Sequence, residues 1–182
     1  MSRYLLFISL WGSLWMACSS PEKVISNAST PISFWTPELI DQVKKNNFRI
    51  IFTTPKAQIT GIFIFKRMDG EWRGTIINEF GLKVLDFVST PEKCRIMNVI
   101  PFLNKWYIKK VMASDIQFIM EIDNPDYPIG VHANRHFMEN TLMVRYKKEK
   151  ELCRFPDGAV QYHNHQRKLT YSLKKIHDET ER

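Results

Sequence analysis

The stretch Thr60-Gly61-Ile62-Phe63-Ile64-Phe65-Lys66-Arg67, followed by Met68-Asp69-Gly70-Glu71 and Trp72-Arg73-Gly74-Thr75-Ile76-Ile77, decides the fold class of this chain. Successive strand side chains point to opposite faces. Gly61, Phe63 and Phe65 therefore share one side of the first run, and Trp72, Gly74 and Ile76 share one side of the second. Asp69-Gly70 between them tolerates positive φ, which predicts a hairpin and hence antiparallel order. The alternation extends both ways. Upstream, Phe48, Ile50 and Phe52 share a side; downstream, Gly81 turns the chain into short strands at 84–88 and 95–100. Sequential strands joined by short turns predict a meander.

At Pro101 the period changes from two to nearly four. Phe102 and Trp106, Leu103 and Tyr107, and Ile108 and Met112 are i, i+4 neighbours, with Asn104, Lys105, Lys109 and Lys110 between them, which predicts an amphipathic helix. Ser114-Asp115 allows either continuation through Ile116, Phe118 and Ile119 or a restart capped by Ser114. Residues 123–136 are dense in turn chemistry and predict a long connection. Strands then resume: Leu142, Val144 and Tyr146 alternate with polar residues, 152–155 precede a Pro156-Asp157-Gly158 turn, and Leu169, Tyr171 and Leu173 alternate again. Upstream of all these, Thr36-Pro37-Glu38 has a cap residue, a proline at the first helical position and a first-turn carboxylate, predicting a short helix that ends near Lys45.

The hairpin carries apolar side chains on both faces, as in Ile62-Phe63-Ile64-Phe65 and Ile76-Ile77. A half-solvated antiparallel sheet needs only one. Either helices cover one face and something else the other, or the sheet curls round an apolar hollow.

The N-terminus supplies a different kind of information. Arg3, an apolar stretch from Tyr4 to Met16, and Leu14-Trp15-Met16-Ala17-Cys18 read as a bacterial lipoprotein export signal. This thirteen-residue segment falls short of the roughly 20 apolar residues needed for a membrane-spanning helix. Cleavage before Cys18 takes seventeen residues from 182 and leaves 165, room for one domain, with Cys18 carrying the lipid. Each buried CH₂ of such an anchor is worth about 0.8 kcal/mol. Residues 18–33 are small, polar and punctuated by proline, and read as a flexible tether; residues 178–182 read as a disordered tail. The domain is expected over 34–177. Ser19, after the cysteine, carries no inner-membrane retention signal, so the expected location is the outer membrane, facing the periplasm.

The formal charge of +7 is distributed among 19 acidic residues without a long basic run, so nucleic acid is not an expected partner, whereas an anionic lipid surface is compatible. Cys94 and Cys153 form an even pair that either bridges or stays as two thiols. His132 with His136, and His163 with His165, lack carboxylate or thiol neighbours at ligand spacing, so no metal or other cofactor is expected. A nucleophile elbow, a phosphate loop and an assignable carboxylate pair are also missing from the sequence, and no enzymatic activity is expected. Asp115 and Glu121, each flanked by apolar residues, stand out as acidic side chains with a possible functional role.

The combination of lipobox, polar tether, the 60–67 strand, the hairpin into residues 72–87, and the helix at Leu103-Asn104-Lys105-Trp106-Tyr107-Ile108-Lys109-Lys110 resembles uncharacterised lipoproteins of the Bacteroidetes type. These are similar in turn to the LolA and LolB lipoprotein carriers. The resemblance covers about residues 48–120 and lies in pattern. It implies an α+β fold, with a strongly curved antiparallel sheet, an incomplete barrel, closed by one or two helices round a cavity for acyl chains. No residue here matches the carriers' functional arginine or protruding-loop leucine, so no site residue is transferred.

The expectation from sequence is a membrane-anchored, non-enzymatic envelope lipoprotein that binds a lipid or acylated protein ligand and takes part in lipid or lipoprotein transport. Phe63, Phe65, Ile76, Phe80, Phe87 and Trp106 are the expected apolar lining. The contrasting expectation is a structural adaptor in an envelope assembly, with a filled core and a protein partner.

Overall fold

The computed structural model describes residues 45–138 and 140–176. The export signal, Cys18, the tether, the helix expected from Thr36 and the tail from Asp178 lie outside the described residues.

The fold is α+β, built on one antiparallel sheet of ten strands. The first five are β1 (Asn46–Thr53), β2 (Gln58–Met68), β3 (Glu71–Asn78), β4 (Lys83–Ser89) and β5 (Cys94–Val99). A 3₁₀ turn (Pro101–Leu103), helix α1 (Trp106–Glu121) and the short helix α2 (Pro128–Val131) follow. The chain then returns as β6 (Asn134–Met138), β7 (Thr141–Tyr146), β8 (Lys150–Arg154), β9 (Val160–Asn164) and β10 (Leu169–Lys175).

Strand order is β5-β4-β3-β2-β1-β10-β9-β8-β7-β6. Each half is a meander, and the halves join where β1 pairs with β10, Phe52 opposite Tyr171 and Ile50 opposite Leu173. The expected hairpin sits at Met68–Glu71, with Asp69 at φ 53° and Gly70 at φ 80°. In the turn after β3, the Asn78 side chain accepts the backbone N–H groups of Phe80 and Leu82. Gly81 adopts φ 77°, a region that favours glycine.

The 101–121 segment is a 3₁₀ turn followed by one helix running through Ser114 and Asp115 without a restart. Its buried residues include Met112, Ile116, Phe118, Ile119 and Met120. The long connection expected over 123–136 is corrected: it holds α2 and the first residues of β6. All five residues of β6 are exposed, so this edge strand leaves no dry-face alternation in the sequence.

The sheet curls about α1. Glu121 bonds Ser89 of β4, while Asp115 bonds Tyr162 of β9 and Tyr171 of β10. Five strand spacings separate β4 from β9, about 24 Å on a flat sheet at 4.8 Å per spacing. One helix about 10–12 Å across reaches both only if the sheet bends. The sheet stays open: β5 and β6 are its two edges.

Close packing on the inner face explains Gly74. A Cβ there would lie 2.4 Å from the Phe87 ring and 2.6 Å from the Ile64 carbonyl oxygen. Gly74→Ala is therefore expected to destabilise the domain by about 1–3 kcal/mol, read as a lower urea midpoint with an unchanged slope.

Candidate functional site: an apolar pocket beside α1

The inner face divides into a filled end and a hollow end. At the filled end, near the β2–β3 hairpin, aromatic rings interlock: Phe63 lies 5.0 Å from Phe65 and 5.4 Å from Phe87, and Phe65 lies 5.5 Å from Phe48 and 5.8 Å from Trp72. Such centroid separations are those of favourable offset and edge contacts. Phe63, Phe65, Ile76 and Phe87 are all buried.

At the other end a pocket of about 290 Å³ opens between the start of α1 and the β1–β10 pair. Phe52 and Leu169 form one wall; Leu103, Tyr107, Ile108, Val111 and Met112 form the other; Arg167 supplies the charged part of the lining. Deeper in lies a void of about 20 Å³ bounded by Ile50, Ile76, Val84 and Tyr171, with Phe52, Leu103 and Met112 common to both spaces. The period-four pattern of α1 produces this wall. Ile108, Val111 and Met112 recur at i, i+3 and i+4, so they share one helix face.

Of the six residues expected as lining, Ile76 borders the void, none borders the pocket beside α1, and Phe65 borders a separate, open groove of about 670 Å³ with Lys45, Ile64, Lys66, Arg73 and Asp86. Phe63, Phe65 and Phe87 pack on one another. Phe80 stands in the β3–β4 turn at 87% exposure and Trp106 begins α1 at 75%. The pocket residues that sequence reading passed over are Phe52, Val111, Arg167 and Leu169. Phe52 and Leu169 were visible as inward members of alternating strands, but nothing in the sequence showed that β1 and β10 are neighbours.

Phe80 and Trp106 belong to a rim at the pocket's end of the sheet. Antiparallel register brings together the β1–β2 turn, the β3–β4 turn, the 3₁₀ turn and the β9–β10 turn. This rim exposes Phe80, Leu82, Phe102, Trp106 and Tyr107, and its turns also carry the exposed cations Lys56, Lys105 and Lys168 and the carboxylate Glu79.

Behind the pocket lies a buried polar cluster. Asp115, fully buried, accepts from the Tyr162 hydroxyl at 2.6 Å, the Asn164 amide at 2.8 Å and the Tyr171 hydroxyl at 3.3 Å. Lys150 Nζ stands 3.8 Å from it and donates to the Ser114 carbonyl oxygen at 2.9 Å and to Ser114 Oγ at 2.7 Å. Burial raises the Asp115 pKa despite these donors and lowers that of Lys150. Glu121, bonded to Ser89 and Asn124, is also raised by burial. Every oxygen of Asp115 is engaged by the protein, so the cluster ties α1 to β8, β9 and β10 and offers no free group to a substrate.

Cys94 and Cys153 are free thiols, on strands seven spacings apart in the sheet order. Burial pushes the Cys94 thiol up to about 12, so it stays protonated and unreactive. His163 and His165 stack at 5.9 Å, with His163 on β9 and His165 in the following turn. Among the described residues, no three His, Cys, Asp or Glu side chains assemble as a metal site.

A comparison with models of known protein families and with curated proteins finds no match for this chain.

Proposed function

We propose that this protein is a membrane-anchored envelope lipoprotein that binds a lipid or acylated ligand in the pocket beside the N-terminal half of α1. In this reading α1 closes the open side of the curled sheet, in the manner expected of a LolA/LolB-like carrier. Cys18 holds the domain at the outer membrane, facing the periplasm.

The observation that carries the proposal is the pocket itself: about 290 Å³, walled by Phe52, Ile108, Val111, Met112 and Leu169, and opening at one end of the sheet. That volume stands at the low end of the roughly 300–1,000 Å³ of small-molecule sites. Apolar burial supplies the affinity, at about 2.5 kcal/mol for each 100 Å² of chain removed from water. The rim supports the same reading. Aromatic side chains favour the membrane–water interface, and cations on the same rim are attracted to anionic headgroups at about 1 kcal/mol each.

The test is native mass spectrometry of the protein as recovered from cells. The expected spectrum shows a non-covalent adduct of lipid mass, beyond any covalent N-terminal modification. A clean protein mass, accompanied by a co-purifying protein partner, would instead establish the structural adaptor.

A further inference from the structure

We propose that the pocket and the void behind it form one channel for a single unbranched aliphatic chain ending in an anionic group, with the anion at Arg167 and the chain tip at Ile76. This rests on the lipid-binding reading above and adds to it the head-group class and the direction in which the ligand lies.

Three observations carry the inference. First, the two spaces share a partition, Phe52, Leu103 and Met112. Met112 is unbranched and repacks readily, and Leu103 sits on a three-residue 3₁₀ turn, so the partition yields to a chain pressed against it. Second, polarity falls from mouth to depth. The inner void is bounded by Ile50, Ile59, Ile76 and Val84, with Thr60 as its one polar neighbour besides Tyr171, whose hydroxyl is committed to Asp115. A hydrocarbon tip fits there and a charged one does not.

Third, the mouth holds one charged side chain. Arg167 lines the pocket, and no carboxylate among the described residues lies within salt-bridge distance of it. Its backbone N–H donates to Asn164 Oδ1 at 3.0 Å, fixing the β9–β10 turn that presents it. A guanidinium at an apolar mouth is matched by a carboxylate or phosphate, which it binds through paired N–H donors.

The experiment uses the full chain in phosphatidylcholine nanodiscs with three photoactivatable ligands, each carrying a diazirine at the chain tip: tetradecanoate, its methyl ester, and a lysophosphatidylglycerol of the same chain. Crosslinked peptides are mapped by mass spectrometry. The expected result is tip labelling at Ile76 or Val84, about tenfold stronger for the anionic ligands than for the ester. Arg167→Gln is expected to remove that preference, bringing labelling by the anionic ligands down to the level of the ester.

Preference for carboxylate or for phosphate, either of which supports the proposal, names the head group's source. Equal labelling by acid and ester, indifference to Arg167→Gln, or tips confined to the outer pocket without Ile76 or Val84 would overturn the proposal while leaving lipid binding in place. Absence of labelling anywhere in the pocket would overturn both.

Discussion

Asp115→Ala is expected to destabilise the domain by about 3–5 kcal/mol. The reason is the number of donors that lose their acceptor at once. Two tyrosine hydroxyls and the Asn164 amide converge on Asp115, with the Lys150 ammonium 3.8 Å away. Tyr162, Tyr171 and Asn164 are buried, so water does not replace the lost carboxylate without a cavity to hold it. Equilibrium urea unfolding measures the loss. An effect below about 1 kcal/mol would show that the cluster does not fasten α1 to the C-terminal half of the sheet.

The same residue gives stability an unusual pH dependence. The folded carboxyl has a pKa above its ordinary 3.8, because burial outweighs its hydrogen bonds. Between 3.8 and that raised value the folded state holds more protons than the unfolded one. By linkage, the contribution of Asp115 is fully present below 3.8 and is lost as pH rises through the folded pKa. Asp115→Asn stays neutral throughout. The wild type is therefore expected to lose stability relative to Asp115→Asn as pH rises from about 4 toward neutrality. Glu121, also raised, is common to both proteins and cancels in the difference.

Val111→Asp is expected to lower lipid retention by more than about 100-fold, equivalent to about 2.7 kcal/mol. Val111 lines the pocket and is only partly buried, so its carboxylate replacement stays hydrated in the empty protein. A bound chain would strip that water and leave a charge against hydrocarbon, at a cost of several kcal/mol. Folding stability is expected to change by less than about 1 kcal/mol, which separates lost binding from lost structure. Val111→Trp, which fills the same space without charge, is expected to give a similar loss. Retention of the adduct in both variants, read by native mass spectrometry, would place the ligand elsewhere.

Much of the fold was legible because its signals are local. The alternation in 60–67 and 72–77, with Asp69-Gly70 between, specified the hairpin, since side-chain direction in a strand depends only on the pleat. Of the i, i+4 pairs, Ile108 with Met112 lies within α1, whereas Phe102 and Leu103 fall in the 3₁₀ turn before it, so the helix starts later than the pattern from Pro101 predicts. Strand β9 was harder to see because its inward positions, Val160, Tyr162 and Asn164, end on an amide whose polar atoms are satisfied by Asp115 and the backbone of Arg167. Strand β6 was hidden because none of its side chains is buried.

The site was less legible than the fold. Phe63, Phe65 and Phe87 have the composition expected of a cavity wall, yet their rings fill the space between them. Phe80 and Trp106 have the hydrophobicity of core residues but stand on the surface. Composition reports how much an apolar side chain gains by leaving water. It does not report whether a neighbour or a void meets it there.

The sequence by itself determined the strands of the first meander, the amphipathic helix and the antiparallel hairpin, because each follows from sterics and periodicity within a few residues. Only the tertiary structure decided that β1 joins β10, that the sheet bends far enough for one helix to touch both halves, and that hollow space survives beside Val111 and not beside Phe63. Those outcomes depend on contacts between residues far apart in the chain, from Ser89 with Glu121 to Phe48 with Lys175. Their geometry is fixed by how whole faces fit together, which no local pattern encodes.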